Sequence, residues 1–149
     1  MAHFFVHLIL PKSLAPGCSI KEVESAVESA LGPHWTRDGT NEDGWWDYYE
    51  IGGLFNGIVK PLHPLPSPAP TGILGRLFGK NAPSNVALAE DVLATWSEDH
   101  APFVVVTPDG AAHGADDWSK ENFTPWSARF KALVEQYRGH LVVGVDCHS

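Results

Sequence analysis

Apolar and polar residues alternate over residues 3–10, with Phe4, Val6, Leu8 and Leu10 on one face and His3, Phe5, His7 and Ile9 on the other. Neighbouring strand side chains point to opposite sides, so this period predicts a strand, which Pro11 ends. The period then becomes helical: Ile20, Val23, Val27, Ala30 and Leu31 recur one helical turn apart. Ser19 with Glu22 three residues on is a capping-box pattern, and Gly32-Pro33 stops the run. Residues 34–44 have the composition of a loop. Aromatic and β-branched residues then predict two strands, 45–51 and 54–60, joined as a central hairpin. Gly52-Gly53 and Asn56-Gly57 are competing turns for it. Alternation places Asp47, Tyr49 and Ile51 on one face and Trp46, Tyr48 and Glu50 on the other.

Prolines at 61, 64, 66, 68 and 70 mark residues 61–80 as an extended excursion within one domain spanning 1–149. Ile73, Leu74, Leu77 and Phe78, bracketed by glycines, read as a short helical turn over the core. Residues 85–96 are helical by pattern, with Ser84 as the cap. Residues 103–106 form a continuous apolar run, which fits a strand buried on both faces. Pro108-Asp109-Gly110 is turn chemistry, and residues 115–122 read as a short turn carrying Trp118. Thr124-Pro125 predicts a helix start and Gly139 its end, with Trp126, Phe130, Leu133, Val134 and Tyr137 as one stripe between them. Residues 140–148 close the chain as a strand, with Leu141, Val143, Val145 and Cys147 opposite His140, Val142, Gly144, Asp146 and His148. This order predicts an α+β fold: a ferredoxin-like, mainly antiparallel sheet with helices on one face and an added helix–strand unit.

Composition narrows the function classes. The chain has 149 residues, 44% of them hydrophobic and 19% charged, which suits one domain with a real core. A net charge of −8, with ten scattered Lys and Arg, argues against nucleic acid and anionic membranes as partners. Two cysteines, Cys18 and Cys147, form no CxxC pair and fit free thiols in a reducing cytoplasm. The apolar first strand is too short to span a bilayer. Cytoplasmic location is therefore expected.

Three islands of sequence belong together: Trp46-Asp47-Tyr48-Tyr49-Glu50-Ile51-Gly52-Gly53, then Phe103 to Gly110 with His113 following, and Val145-Asp146-Cys147-His148. Together they resemble a group of small uncharacterised bacterial and phage proteins carrying a W-D-x-Y-x-I-G-G-R-W-like hairpin, a T-P-D-G-x-W-H turn and a terminal V-D-C-H. The resemblance runs from about residue 45 to the end. It departs at Leu54, where the pattern has arginine, and at Ala112, where it has tryptophan; an anionic ligand held by that arginine would lose its contact here. The likeness marks motif boundaries and implies no activity.

Eight histidines invite metal or acid–base chemistry. His3 and His7 share a strand face but lie roughly 13 Å apart, too far for one ion. Asp146 and His148 are about 6.6 Å apart on one face and suit an ion better. If the last strand runs antiparallel beside the first, His3 falls near Asp146 and His148, and His7 faces Gly144. That gives a polar strip, expected on the face away from the helices, with Asp47 and Tyr49 extending it. His3, Asp146 and His148 are then candidate ligands for a divalent transition metal such as zinc, and His7, Asp47, Tyr49 and His113 candidate catalytic groups. Trp46, Glu50 and Asn56 are candidate ligand contacts. Asp47 and Glu50 fall on opposite faces and do not make a glycosidase pair. Neither a dinucleotide-binding glycine motif nor a P-loop is present. Two functions fit these features: a small-molecule site or small enzyme on the sheet, metal-assisted or not, and a protein-interaction module with an acidic, aromatic surface. The partner is accordingly a small molecule or another protein, with a homodimer through the open sheet face as one form of the latter.

Overall fold

A computed structural model describes residues 2–36, 44–62, 65, 83–114 and 120–149. Among them are six strands and three helices: β1 (His3–Ile9), α1 (Ile20–Leu31), β2 (Tyr48–Ile51), β3 (Val86–Leu88), α2 (Ala89–Thr95), β4 (Val104–Val106), β5 (Ala112–Gly114), α3 (Lys120–Glu135) and β6 (Leu141–His148). The fold is α+β, with one mostly antiparallel sheet ordered β2-β6-β1-β4-β5. β1 and β6 form its centre, antiparallel, with His3 opposite His148 and His7 opposite Gly144. β4 joins the other side of β1 in parallel. Most of the loop 34–44, nearly all of the proline-rich excursion with its apolar turn, and the turn at Trp118 lie outside the described residues.

The ferredoxin-like arrangement is not confirmed, and the helices do not share one face. Leu8, Leu10, Val143, Val145 and Cys147 pack with Val23, Val27 and Leu31 of α1. On the other face Phe5, Ile9 and Val142 pack with Val92 of α2 and with Trp126, Phe130 and Val134 of α3. Apart from His7, both sides of β1 are apolar over Phe4–Ile9, so each recruits a helical layer. The open face expected for a homodimer is covered.

The central hairpin does not form either. Gly52 (φ 77°) and Gly53 (φ 51°) both take the left-handed backbone that glycine permits. They send the chain into a single 3₁₀ turn, Gly53–Phe55, and no strand follows over 54–60. β2 has no hairpin partner among the described residues, and β3 continues along the same edge of β6 where β2 stops. Gly144 is the junction: its carbonyl accepts from Gly52 N at 2.9 Å, and its N–H donates to the Asn85 carbonyl at 2.9 Å.

β3 occupies positions expected to be helical. Asn85 sits at φ 62°, which a right-handed helix cannot include. Val86, Ala87 and Leu88 pair with Val143, Val142 and Leu141, and the helix starts only at Ala89. Ser84 is thus not the cap. The last helix begins at Lys120, ahead of the expected Thr124-Pro125 start, with Pro125 inside it. Its apolar stripe is as expected, with Trp126, Phe130 and Val134 buried and Leu133 and Tyr137 packed against them. α1 carries the full Ser19–Glu22 capping box.

Candidate functional site

Two carboxylate–imidazole pairs meet where β1 begins and β6 and β2 adjoin. His3 Nδ1 lies 3.0 Å from Asp146 Oδ1 and 3.1 Å from Oδ2. His148 Nδ1 lies 2.8 Å from Asp47 Oδ1. The two rings are neighbours, with centroids 5.0 Å apart at 73°. An ionised carboxylate only accepts hydrogen bonds, so each Nδ1 carries the proton and donates it. In the neutral ring that fixes Nε2 as the acceptor, which is the state a proton acceptor or a ligand contact needs.

Each member is placed by backbone pairing. His3 and His148 are register partners, and Tyr48 faces His148 from β2. Asp47 N donates to the His148 carbonyl at 2.8 Å, which holds the Asp47 side chain alongside the ring. Asp146 is only 4% exposed, whereas His3 is 44% and Asp47 50% exposed. A buried carboxylate needs partners. Besides His3 it accepts from Leu54 N at 3.0 Å, the backbone N–H that follows Gly53. That approach requires glycine: a Cβ on Gly53 would lie 2.5 Å from the Asp146 Cβ. The exposed side chains of Tyr48 and Leu54 flank the site.

The strip does not lie on a helix-free face. Phe5, His7 and Asp146 share the face on which α2 and α3 pack, and the segment after Gly53 covers it, with Phe55 stacked on Phe5 at 4.8 Å. Only the end bearing His3, His148 and Asp47 reaches solvent.

The other candidates separate from this group. His7 is buried between Phe5 and Phe130, with ring centroids 4.7 and 5.4 Å away. Burial pulls its pKa from 6.5 down to about 3, so it is neutral and has no solvent route to a substrate. Tyr49 points to the α1 face against Trp46 at 5.3 Å. Its pKa is raised by burial, then by the nearby Glu28, Glu24 and Cys147. Trp46 is buried, donating from Nε1 to the Leu31 carbonyl at 2.7 Å, so it ends α1 structurally and is no ligand contact. Glu50 is exposed on β2 beside a shallow groove shared with Lys21, Glu24 and Glu28. Asn56 Oδ1 accepts from Asn85 Nδ2 at 3.0 Å, and Asn85 Oδ1 accepts from Gly57 N at 2.8 Å, so these amides tie down the turn. His113 sits on β5, at the opposite edge of the sheet from β2, bonded to Thr107 Oγ1 at 3.2 Å. Burial lifts the Cys147 thiol to about 12, with Asp146 adding to it, so it is no nucleophile.

No group of three or more His, Cys, Asp or Glu among the described residues is arranged to hold a metal ion. In the expected set, Asp146 accepts from His3 and Leu54 N, and His148 Nδ1 is turned to Asp47 instead of toward a shared ion. Two contributors escaped the sequence reading: Tyr48, which the alternation rule turned away from Asp47, and the Leu54 N–H, a backbone group that no side-chain pattern announces. No helix of the described residues is long and apolar enough to cross a membrane. No family model matches the chain, and neither the curated proteins nor the solved structures include a match to it.

Proposed function

We propose that the chain binds a small molecule at the solvent-facing end of β1 and β6 and exchanges a proton with it through His148 and His3. The observation that carries this reading is the pairing of two adjacent imidazoles, each held through Nδ1 by its own carboxylate. One Asp–His pair at a strand end is commonplace; two in contact, one on a buried aspartate, are costly to assemble by packing alone. A carboxylate on Nδ1 fixes tautomer and ring orientation, which is the positioning that general acid–base catalysis uses. Tyr48 offers an aromatic wall beside His148, with centroids 6.4 Å apart. The ligand is accordingly an uncharged or weakly polar molecule with a planar or apolar part and a transferable proton. A divalent metal would enter only with ligands supplied by substrate or water, since the described side chains do not complete a set.

One observation favours a protein-interaction surface instead: Tyr48 is 59% and Leu54 72% exposed next to the pairs. Both readings are tested by a fragment screen followed through backbone and histidine NMR shifts. Small-molecule hits that move His3, His148 and Tyr48, and are lost in His148→Ala but kept in His113→Ala, support the first. Hits confined to other surfaces overturn it.

A further inference from the structure

Away from that site, two buried polar groups with no hydrogen-bond partner line one small cavity. His7 Nδ1 and Nε2 and Trp96 Nε1 are fully enclosed and unpaired among the described residues. His7 and Trp96 share a cavity of about 20 Å³ with Ile58, Val59, Val92, Thr95 and His100. Leaving a buried donor or acceptor unsatisfied costs on the scale of a lost hydrogen bond or more, so native interiors seldom do it without a small guest.

We propose that this cavity is a specific site for one neutral hydrogen-bonding molecule of water's size, water itself in the resting protein, held between the His7 ring and Trp96 Nε1. The volume fits one such molecule and excludes anything much larger. The chemistry of the lining selects among molecules of that size. Trp96 Nε1 only donates, so the guest must accept from it. A neutral imidazole offers one donor and one acceptor, so the guest meets His7 in either sense. A cation finds no carboxylate among the lining residues and would meet the Trp96 Nε1 donor, while Thr95 Oγ1, which spends its proton on the Asp91 carbonyl at 2.9 Å, keeps only acceptor capacity toward a neutral guest. An anion would bury its charge without a counter-charge, and an apolar guest would leave both nitrogens unpaired. Ile58, Val59 and Val92 supply the dry walls. The guest would couple β1 to the chain just after α2 through hydrogen bonds that the His7 and Trp96 side chains do not make to each other.

The test is a high-resolution crystal structure of the full chain, with Trp96→Phe beside it. The expected result is one solvent peak within about 3.2 Å of both a His7 ring nitrogen and Trp96 Nε1. It should vanish or lose most of its occupancy in Trp96→Phe, which keeps the ring and removes the donor. A cavity without the peak that takes up xenon under pressure would overturn the proposal, because dry apolar cavities do that. So would a peak equally strong in Trp96→Phe. If Trp96→Phe does not fold, the indole proton of the wild-type chain serves: a cross-relaxation signal to a long-lived water supports the site, and none overturns it.

Discussion

His3 reaches Asp146 diagonally across the β1–β6 ladder, Nδ1 to carboxylate at 3.0 Å, although its register partner is His148. Diagonal neighbours on one sheet face are within reach of long or aromatic side chains, and here the diagonal carries the charge-assisted bond. The direct neighbour then packs ring against ring and takes its own carboxylate from β2's approach, Asp47. Asp146 thus orients a histidine and anchors the glycine turn at once.

Asp146→Ala removes both bonds and leaves Leu54 N–H without its acceptor. Stability should fall by about 2–3 kcal/mol, as for a buried hydrogen-bonded charged group. Asp146→Asn should fall less, because its amide oxygen can still take one bond. Urea denaturation of both variants measures this; a loss of only a few tenths from the alanine variant would mean the turn holds itself.

Gly53→Ala should disturb the same place from the other side. Its φ of 51° strains an L-residue, and the added Cβ meets Asp146 at 2.5 Å. A loss of about 1–3 kcal/mol is expected from strain and overpacking together. The His3 ring signals should shift with it in NMR spectra, whereas Gly110→Ala, where a Cβ meets nothing, should leave them in place.

His7 makes stability pH-dependent. Burial lowers its pKa from 6.5 to about 3, so between these values the unfolded chain binds a proton that the folded chain refuses. Stability therefore falls as pH drops below about 6.5, by up to ~1.4 kcal/mol per pH unit. His7→Leu should remove that component: between pH 7 and pH 5 the wild type should lose about 2 kcal/mol more than the variant. Parallel losses in denaturant midpoints would assign the acid sensitivity to other groups.

Phe130→Ala should cost about 3–5 kcal/mol, since Phe130 is fully buried against the sheet and touches His7, Trp96 and Trp126. A thermal or urea melt reads this directly. A change below 1 kcal/mol would make α3 a peripheral layer.

The sequence by itself determined the elements whose signals are local. The alternation of β1 and β6, the Ser19–Glu22 cap of α1, the Pro108-Asp109-Gly110 turn and the stripe of α3 each follow from a period, a cap or turn residues read within one segment. The juxtaposition of His3, Asp146 and His148 was legible only on the condition that the last strand pairs with the first, and the tertiary structure supplied that pairing. The tertiary structure alone decided what lies beside those strands. Residues 54–60 have strand composition, yet β2 ends at Ile51, the chain turns at Gly52 and Gly53, and the pairing beyond β2 along β6 comes from Val86–Leu88 after Asn85's left-handed backbone redirects the chain. The same non-local choice laid Phe55 and Val59 over Phe5 and Gly144, turning His7 from an expected surface catalyst into a buried neutral ring. Periodicity states which residues share a side of a strand; which side meets water depends on what else packs there, and that is written nowhere in a single segment.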